Sequence, residues 1–571
     1  MESILGNRPS KFNLWEWFLR RVQTHKTTIK DDIVAGITVS LVAIPQSLAY
    51  AQLAGMPAYY GLYAGFIPTI VGALFGSSAQ LSTGPVAMTS LLTAASVAPL
   101  ANLGSDQYVS LVILLALLSG IFQVGLGFFR IGVLVNFLSH PVLMGFINAA
   151  ALIIGLAQLP TLLGIPRHHA ESFLAEIVQT LIDINQLNVA SLEFGVAAII
   201  MLVLFKRLAP RWPGVLITVA FLTWIGQITD YGSKPGEGVV GSIPSGLPGF
   251  SMPVLDFDQI VSLSVPALVI ALISFMEAMS SSRIIAIKTR TPWNENRELI
   301  GQGLAKIAAA FCHAMPVSGS FSRSALNLAT HARTSLSSVI AALAVLLTLL
   351  FFTSALYHLP KPVLAAIIMV AVAGLLNFNN IRRAWIINPD DGFAGGVTFV
   401  ATMIFAPNIQ NGIVTGIVLS LILLQYRMMR PRVVKDMVLL DDGTLRDSSN
   451  YNLPGLHPRL GAMRFDGALR FMNVSYFENA VLEVERLHPD IRYILVQGSG
   501  INALDASGVE MLMSLVNRLG GNNIKLAFSS LKQQAQEVFA SSGLTKIIGE
   551  DNFFCNDKEA INTLEARVQS L

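Results

Sequence analysis

The stretch HAMPVSGSFSRSALN, residues 313–327, carries a histidine, an arginine and five other polar residues between strongly apolar segments. The segment that follows it, SSVIAALAVLLTLLFFTSALY (337–357), has no charged residue. A charged side chain inside a membrane is costly, so it faces a bundle interior or a cavity and marks a functional position. The stretch therefore predicts a broken membrane helix with a site at the break, around Arg323.

The composition of the whole chain is that of a membrane protein. Of its 571 residues, 53% are hydrophobic and 13% are charged, with a mean hydropathy of +0.59, whereas soluble chains carry about 25% charged residues. The net charge of +3 gives no indication of nucleic-acid binding, and Cys312 and Cys555 form neither a disulfide framework nor a metal cluster. The sequence contains no nucleophile–base pair, metal motif or nucleotide loop, so we expect a polytopic membrane protein that is not an enzyme and needs no cofactor.

Hydropathy divides the chain into three predicted domains. Residues 1–32 form a polar, basic, amphipathic segment, and residues 33–430 contain fourteen candidate spans of near the ~20 residues that crossing requires. Two of these spans, starting near Gly84 and Gly319, are unusually short. Residues 431–571 are predicted to form a soluble α/β domain, because strands alternate with helices there. The predicted strands and helices are 491–500, 507–520, 524–530 and 533–544.

Lysine and arginine residues set the predicted orientation. With fourteen spans and a cytoplasmic N-terminus, 21 of the 26 among residues 1–435, Lys206 included, fall on the cytoplasmic side. Arg167, Lys234 and Lys361 fall outside, while Lys306 and Arg323 fall within membrane segments. We therefore expect a multi-pass protein of the cell (inner or plasma) membrane with both termini in the cytoplasm.

Matching interruptions indicate a repeated half. SSAQLSTGPVAMTSLL (77–92) resembles the opening stretch in composition, and each follows a helix with a polar break in its middle. Gln46 and Glu277 are 231 residues apart, and Gly84 and Gly319 are 235 apart. Paired broken helices are typical of a transporter's binding site. With seven spans in each half the second copy must be inverted, so the two short segments should meet near the bilayer centre.

Two helix N-termini facing each other favour anion binding, because their N–H groups are unpaired and partly positive. Gly84, Gly319 and Ser320 would let the backbone approach the anion closely. Ser322 and Ser324 could donate hydroxyls, and Arg323 adds a planar cationic fork. The alternative is that both patches are turns, with the arginine extending to the surface.

Glu277 is the acidic residue that lies well inside an apolar span. A bare carboxylate costs at least ~2.5 kcal/mol there, so it should be paired or protonated. It is either a structural ion pair with Arg323 or Lys306, or a proton-titrating group whose protonation is coupled to anion loading.

The chain resembles the sulfate permease (SulP) family of anion transporters along nearly its whole length. The motifs that carry the resemblance are DDIVAGITVSLVAIPQSLAYAQLAG (31–55), FGSSAQLSTGP (75–85), the glutamate of FMEAMSSSRIIA (275–286) and PVSGSFSRSALNLATHARTSLS (316–337). The C-terminal domain resembles a STAS domain through ILVQGSGINALDASGVEML (494–512).

The resemblance implies an α-helical fold of fourteen transmembrane helices in two inverted seven-helix repeats, as in uracil transporters. A core domain would move like an elevator against a gate domain, commonly in a homodimer. The positions that it assigns to the substrate site are Gln46 and Tyr50 of the first span, Val86 and Ala87 of the third, and Phe321, Ser322 and Arg323 of the tenth. Glu277 takes the coupling position of the eighth span.

Arginine together with glutamate resembles the proton-coupled sulfate carriers, whereas the sodium-coupled bicarbonate members tend to have an aspartate at the position of Glu277. Proton-coupled sulfate uptake is therefore predicted. Sodium- or proton-coupled transport of bicarbonate or dicarboxylates stays open, as do an anion exchanger or channel and a membrane-anchored scaffold. The STAS domain is a candidate for binding a cytoplasmic protein partner. In soluble STAS regulators a phosphorylated serine follows the aspartate that matches Asp505, but here Ala506 follows it, so we do not expect switching at that position.

Overall fold

The computed structural model describes residues 26–130, 139–166, 173–209, 212–234, 236–244, 246–247, 249–406, 408–451 and 455–570. Most of the predicted amphipathic segment, residues 1–32, lies outside these ranges. The chain divides into two compact units, Met1–Ser420 and Leu421–Leu571. The predicted boundary at residue 430 between the membrane part and the soluble part stays a prediction.

The first unit is helical. Its helices are α1 (Lys26–Leu53), α2 (Tyr59–Phe75), α3 (Ala87–Val97), α4 (Asp106–Phe128), α5 (His140–Ala157), α6 (Leu159–Leu163), α7 (Phe173–Ile182), α8 (Val189–Leu208), α9 (Gly214–Ile228), α10 (Phe257–Thr289), α11 (Glu295–Phe311), α12 (Phe321–Ala329), α13 (Leu336–Phe351), α14 (Lys361–Ala373), α15 (Phe378–Ile387), α16 (Pro389–Phe405) and α17 (Gln410–Met429), of which α17 continues into the second unit.

Apolar helices account for most of this unit. Within the described ranges, seven helical stretches are long and apolar enough to cross a membrane, and four shorter helices are also apolar. Helices are expected here because every backbone polar group in lipid must find its partner inside the segment. The predicted apolar helical part is therefore confirmed, while the number of fourteen spans and their inverted repetition stay predictions.

Helix packing divides the first unit into two groups, which we call the first and the second helix group. The first group comprises α1 to α4 and α10 to α13, with extensive packing of α11 on α4 and α2, and of α13 on α1. The second group comprises α5 to α9 and α14 to α16, and it is joined by the packing of α5 on α16 and of α8 on α14. The contacts between the groups come mainly from α1, which packs on α14 and α9.

Two short strands interrupt the helices of the first group. β1 (Ser82–Gly84) and β2 (Ser318–Ser320) pair antiparallel, with Ser82 opposite Ser320 and Gly84 opposite Ser318. All six residues are buried, so pairing satisfies backbone groups that water does not reach. α12 begins directly after β2, and α3 begins shortly after β1. Because the strands are antiparallel, the chain enters α3 and α12 from opposite ends of one strand pair.

The second unit is an α/β fold around a five-stranded sheet. The sheet strands are, in spatial order, β3 (Val433–Val434), β6 (Leu460–Phe465), β7 (Tyr493–Gln497), β8 (Lys525–Ser529) and β9 (Phe553–Phe554). A separate hairpin joins β4 (Met437–Leu439) to β5 (Leu445–Asp447). The helices are α18 (Val474–Leu487), α19 (Ala506–Gly521), α20 (Gln533–Ser541), α21 (Leu544–Ile548) and α22 (Asp557–Gln569).

The central strands of this unit are buried on both faces. Ile494 and Val496 of β7 belong to one apolar cluster, while Tyr493 and Leu495 belong to another on the opposite face. Such burial is typical of a parallel sheet covered by helices, and β6 to β9 are parallel while β3 is antiparallel to β6. The two predicted strands and two predicted helices are confirmed as β7, β8, α19 and α20.

Asp505 has a structural role at the start of α19. One carboxylate oxygen accepts a 2.9 Å hydrogen bond from Gly508 N, and the other accepts a 2.8 Å hydrogen bond from Phe471 N. The side chain therefore caps the helix and fastens the preceding loop. Ser507 is exposed in the first turn.

Deletion of residues 432–571 is expected to leave the first unit folded, because its helices and the β1–β2 pair end before that point. The truncated chain should elute as a single species in detergent and keep the helical circular-dichroism signal and thermal transition of its membrane helices. Deletion from residue 378, which also removes α15 to α17, is the control and should aggregate. Aggregation of both truncated chains would show that the first unit depends on the second.

Candidate functional site

A cavity of about 550 Å³ lies between the two helix groups. The first group contributes α1, α10 and the starts of α3 and α12, and the second contributes α5, α8, α9 and α14. The predicted site residues that line it are Gln46, Tyr50, Val86, Ala87, Glu277, Ser320, Phe321 and Ser322. The rest of the lining is mostly apolar, including Met144, Leu202 and Ile367. A mostly apolar cavity with a few convergent polar groups is typical of a small-ligand site.

Gln46 and Tyr50 face the cavity from α1 because they are four residues apart and share one face of the helix. Both side chains are buried, and Gln46 Oε1 has no hydrogen-bonding partner among the described residues. Buried polar atoms without partners are uncommon in native structures, and one explanation is a ligand. This wall of the cavity therefore offers an amide and a phenol to a bound molecule.

The starts of α3 and α12 differ in how their N–H groups are satisfied. Val86 precedes α3 in an extended conformation, and its side chain cannot cap the helix. Ser320 precedes α12, and its hydroxyl accepts a hydrogen bond of 3.4 Å from Arg323 N. The first turn of α3 thus keeps N–H groups without a side-chain cap beside Val86 and Ala87, where an anion would be stabilised.

Arg323 lies behind the cavity wall rather than in the cavity. It is 2% exposed, and its Nη1 donates to Pro85 O at 2.8 Å while Nε donates to Ser82 Oγ at 3.4 Å. Nη2 is buried and has no hydrogen-bonding partner among the described residues. The guanidinium therefore fastens β1 to α12, and its charge lies next to the two helix starts.

The glycines of the two strands allow close packing. Gly84 has φ +156°, and a Cβ there would lie 3.0 Å from Arg323 Nη2. A Cβ on Gly319 would lie 2.9 Å from Ala278 Cβ of α10. Neither glycine lines the cavity. Gly84 lets β1 approach the arginine, and Gly319 lets β2 approach the helix that carries Glu277.

Glu277 lines the cavity from α10 and is half-buried. Its Oε2 atom is buried and has no hydrogen-bonding partner among the described residues. In the described part of the chain, Glu277 forms no ion pair with Arg323 or Lys306, which have other partners. This arrangement favours the titrating-group interpretation over the structural ion pair.

Lys306 is a fully buried lysine on α11. Its Nζ donates to Ser274 Oγ of α10 at 2.7 Å and to Gln123 Oε1 of α4. The sequence predicted its position in a membrane segment and named it as a candidate ion-pair partner of Glu277, but it did not predict these two partners. Its neighbours in sequence, GLAKIAAA (303–310), do not indicate which side chains would surround the ammonium.

The sequence did not indicate that Lys206 lines the cavity, or that two further carboxylates are buried. Lys206 lines the cavity from the last turn of α8. Glu298 is fully buried on α11 and accepts hydrogen bonds from Ser77 N and Ser78 N at 2.8 and 2.9 Å. Asp32 is fully buried on α1 and accepts hydrogen bonds from the segment that follows α12. Both carboxylates lie near a helix end, where sequence alone suggests exposure to solvent.

The arrangement suits reversible binding of a small oxyanion. Uncapped N–H groups, hydroxyls and two nearby buried cations stabilise negative charge. An ionised carboxylate beside them lowers the positive potential at the site. Once the carboxylate is protonated, the potential rises again. Among the described residues, no group of three or more potential metal-ligating side chains could hold a metal ion.

Comparisons with known proteins identify the family. The sulfate permease family matches residues 29–398, and the STAS domain matches residues 456–560. The chain is 31% identical over 572 residues to sulfate transporter 4.1, chloroplastic, of Arabidopsis thaliana, covering 96% of this chain and 82% of that protein. It is 30% identical over 540 residues to a probable sulfate transporter of Mycobacterium tuberculosis, covering 94% and 96%.

Solved structures show the same fold. The murine solute carrier 26 family member A9 anion transporter, in an inward-facing state, matches with a TM-score of 0.88 at 21% identity, covering 99% of this chain and 97% of that chain. The transmembrane domain of the cyanobacterial bicarbonate transporter BicA matches with a TM-score of 0.60 at 21% identity, covering 70% and 98%. From the family matches and the sulfate-transporter relatives together, the chain belongs to the sulfate permease family and carries a C-terminal STAS domain.

Proposed function

We propose that this chain is a secondary active transporter of inorganic oxyanions that couples sulfate uptake to protons by an elevator-type movement. The observation that carries the proposal is the position of Glu277. It lies in the cavity beside the starts of α3 and α12, and its Oε2 has no hydrogen-bonding partner among the described residues. A carboxylate in that position can bind a proton when an anion arrives.

Energetics explain why sulfate would need protons. Moving one charge against the membrane potential costs about 2.3 kcal/mol per 100 mV, and sulfate carries two negative charges. Import into a negative interior therefore needs cations that move inward with it. Protonation of Glu277 removes one negative charge from the site as the anion adds two.

The elevator is supported by the division of the cavity wall. All predicted site residues that line the cavity belong to the first helix group, whereas the opposite wall is largely apolar and comes from the second. Movement of the first group as one body would carry the anion and Glu277 together past this apolar wall. The second group would then act as the stationary partner.

The cavity is proposed to open toward the cytoplasm. Lys206 lies in the last turn of α8, and its Nζ is 3.8 Å from where a Cβ of Gly374, just after α14, would lie. The excess of basic residues predicts that these helix ends face the cytoplasm. The murine relative of the same fold was solved in an inward-facing state. Lys206 would then draw anions to the cytoplasmic mouth.

Replacement of Lys206 by glutamine should weaken sulfate binding from the cytoplasmic side about threefold or more at low salt, because the lysine raises the local anion concentration. The effect should shrink at high salt and be small from the outer side. Sulfate exchange in inside-out and right-side-out vesicles measures both sides. Arg207→Gln, at the neighbouring exposed position outside the cavity lining, is the matched control. Equal effects of the two substitutions would remove Lys206 from the anion path.

Uptake of labelled sulfate into proteoliposomes that contain the full chain tests the proposed function. An inward proton gradient should accelerate uptake, and an inward sodium gradient should not. Acceleration by sodium alone would favour the sodium-coupled alternative. Uptake of labelled bicarbonate or dicarboxylate in place of sulfate would change the proposed substrate.

A further inference from the structure

Lys306 is a buried basic side chain that no carboxylate contacts directly among the described residues. It is fully buried, and within the described ranges it forms no ion pair. Its partners are the neutral side chains of Ser274 and Gln123. An ammonium buried in this way is costly, so an opposite charge nearby stabilises it.

The lysine lies directly behind the wall of the cavity. Ser274, which accepts its hydrogen bond, is three residues before Glu277 on α10, so the two lie about one turn apart. The carbonyl of the same serine accepts a 2.8 Å hydrogen bond from Ser318 Oγ of β2. Lys306 and Glu277 interact electrostatically across this turn. The ammonium is thus connected to the coupling carboxylate and to the strand pair.

The charges around the site can be counted. When Lys306 is protonated, it and Arg323 contribute one positive charge each, and ionised Glu277 contributes one negative charge, which together leaves one net positive charge. Protonation of Glu277 leaves two net positive charges. A monovalent anion would therefore balance the ionised site, and a divalent anion would balance the protonated site.

We propose that Lys306 sets the valence of the transported anion, because it supplies the second positive charge that a divalent oxyanion needs when Glu277 is protonated. The proposal rests on the proposed function and deepens it. Proton binding and divalent-anion binding then favour each other by the same coupling free energy. Without Lys306 the protonated site would balance only a monovalent anion.

Other charged and titratable groups also lie around Glu277. Tyr50 faces it from α1 and Arg323 from α12, while Lys206 lies across the cavity at its mouth on α8. On the element of Lys306 itself, Glu298 lies two turns away, where Ser77 N, Ser78 N and Gln302 Nε2 donate to it. None of the variants compared in the test below replaces Glu298.

The test compares equilibrium binding of sulfate and nitrate to the purified full chain at constant ionic strength. The measured quantity is the ratio of the nitrate Kd to the sulfate Kd. Lys306→Gln should lower this ratio about tenfold or more, because losing one nearby charge weakens a divalent anion more than a monovalent one. Lys306→Arg keeps the charge and should keep the ratio within about threefold. The double substitution of Glu277 and Lys306 by glutamine should give a ratio near that of the wild type with Glu277 ionised.

The outcomes separate a charge effect from a structural one. Equal loss of both affinities in Lys306→Gln, or a ratio that changes by less than about twofold, would overturn the proposal. The wild type gives an independent measurement that needs no substitution. Its ratio should rise as the pH falls from 8 to 5, and a constant ratio would contradict the role of the proton. The two proposals can fail separately. If a proton gradient does not drive uptake but the ratio of the nitrate Kd to the sulfate Kd still falls in Lys306→Gln, the proposed coupling is overturned and the role of Lys306 stands.

Discussion

Glu277→Gln should abolish the acceleration of sulfate uptake by an inward proton gradient while sulfate still binds. Glutamine mimics the protonated carboxyl in shape and charge, so the site stays in its anion-accepting state at every pH. The variant cannot release a proton, and it should therefore exchange sulfate without concentrating it. In proteoliposomes, uptake at an acidic exterior should fall to the level measured without a gradient. The sulfate Kd at acidic pH, where Glu277 of the wild type is protonated, should change by less than about threefold.

Glu298→Gln is the matched control for this result. Glu298 is a buried glutamate of the same helix group, but its carboxylate is held by Ser77 N and Ser78 N. Its replacement should lower thermal stability because buried donors lose their partner, yet proton acceleration should persist. Concentration of sulfate by Glu277→Gln at an acidic exterior would make Glu277 structural and move the coupling to another group.

Arg323→Ala should weaken sulfate binding at least tenfold, whereas Lys361→Ala should change it by less than twofold. The arginine is buried beside the starts of α3 and α12, and its charge and its hydrogen bond to Pro85 O both act on the site. Hydrogen bonds to charged groups contribute roughly 1.5–3 kcal/mol. Lys361 is exposed at the start of α14, where salt screens its charge. Titration calorimetry on the purified chain measures both affinities.

Arg323→Lys separates the two roles of the arginine. Lysine keeps the charge but loses the planar fork that reaches Pro85 O and Ser82 Oγ together. If the charge dominates, this variant should bind sulfate within about threefold of the wild type. If it binds as weakly as Arg323→Ala, the arginine acts mainly by holding β1. Equal affinities for Arg323→Ala and Lys361→Ala would remove Arg323 from the site altogether.

The helix breaks could be predicted because their cause is local. Gly84, Pro85 and Gly319 disfavour a continuous helix, and the serines around them supply caps. The pairing of β1 with β2 could not be predicted, because strands of three residues carry no period that would reveal a partner. The site residues of α1, α3 and α10 were found through motifs, and the cavity brings them together.

The missed features depend on tertiary contacts. The position of Arg323 behind β1 depends on where Pro85 places its carbonyl, and the burial of Lys306 depends on Gln123 of α4 and Ser274 of α10. Each of these partners is far from its residue in sequence. A basic residue in an apolar run predicts a polar neighbour, but it does not identify that neighbour.

The strand pair also constrains the order in which the protein can be made. Ser82 pairs with Ser320, so the two partners of one backbone ladder are 238 positions apart in the chain. Contacts so distant in sequence form slowly, because a long loop must close before any stabilisation is gained. A ribosome that has released only the first half leaves β1 with no partner for its buried backbone groups. The anion site is therefore completed late in biosynthesis, and the emerging first half must be protected inside the membrane until β2 arrives.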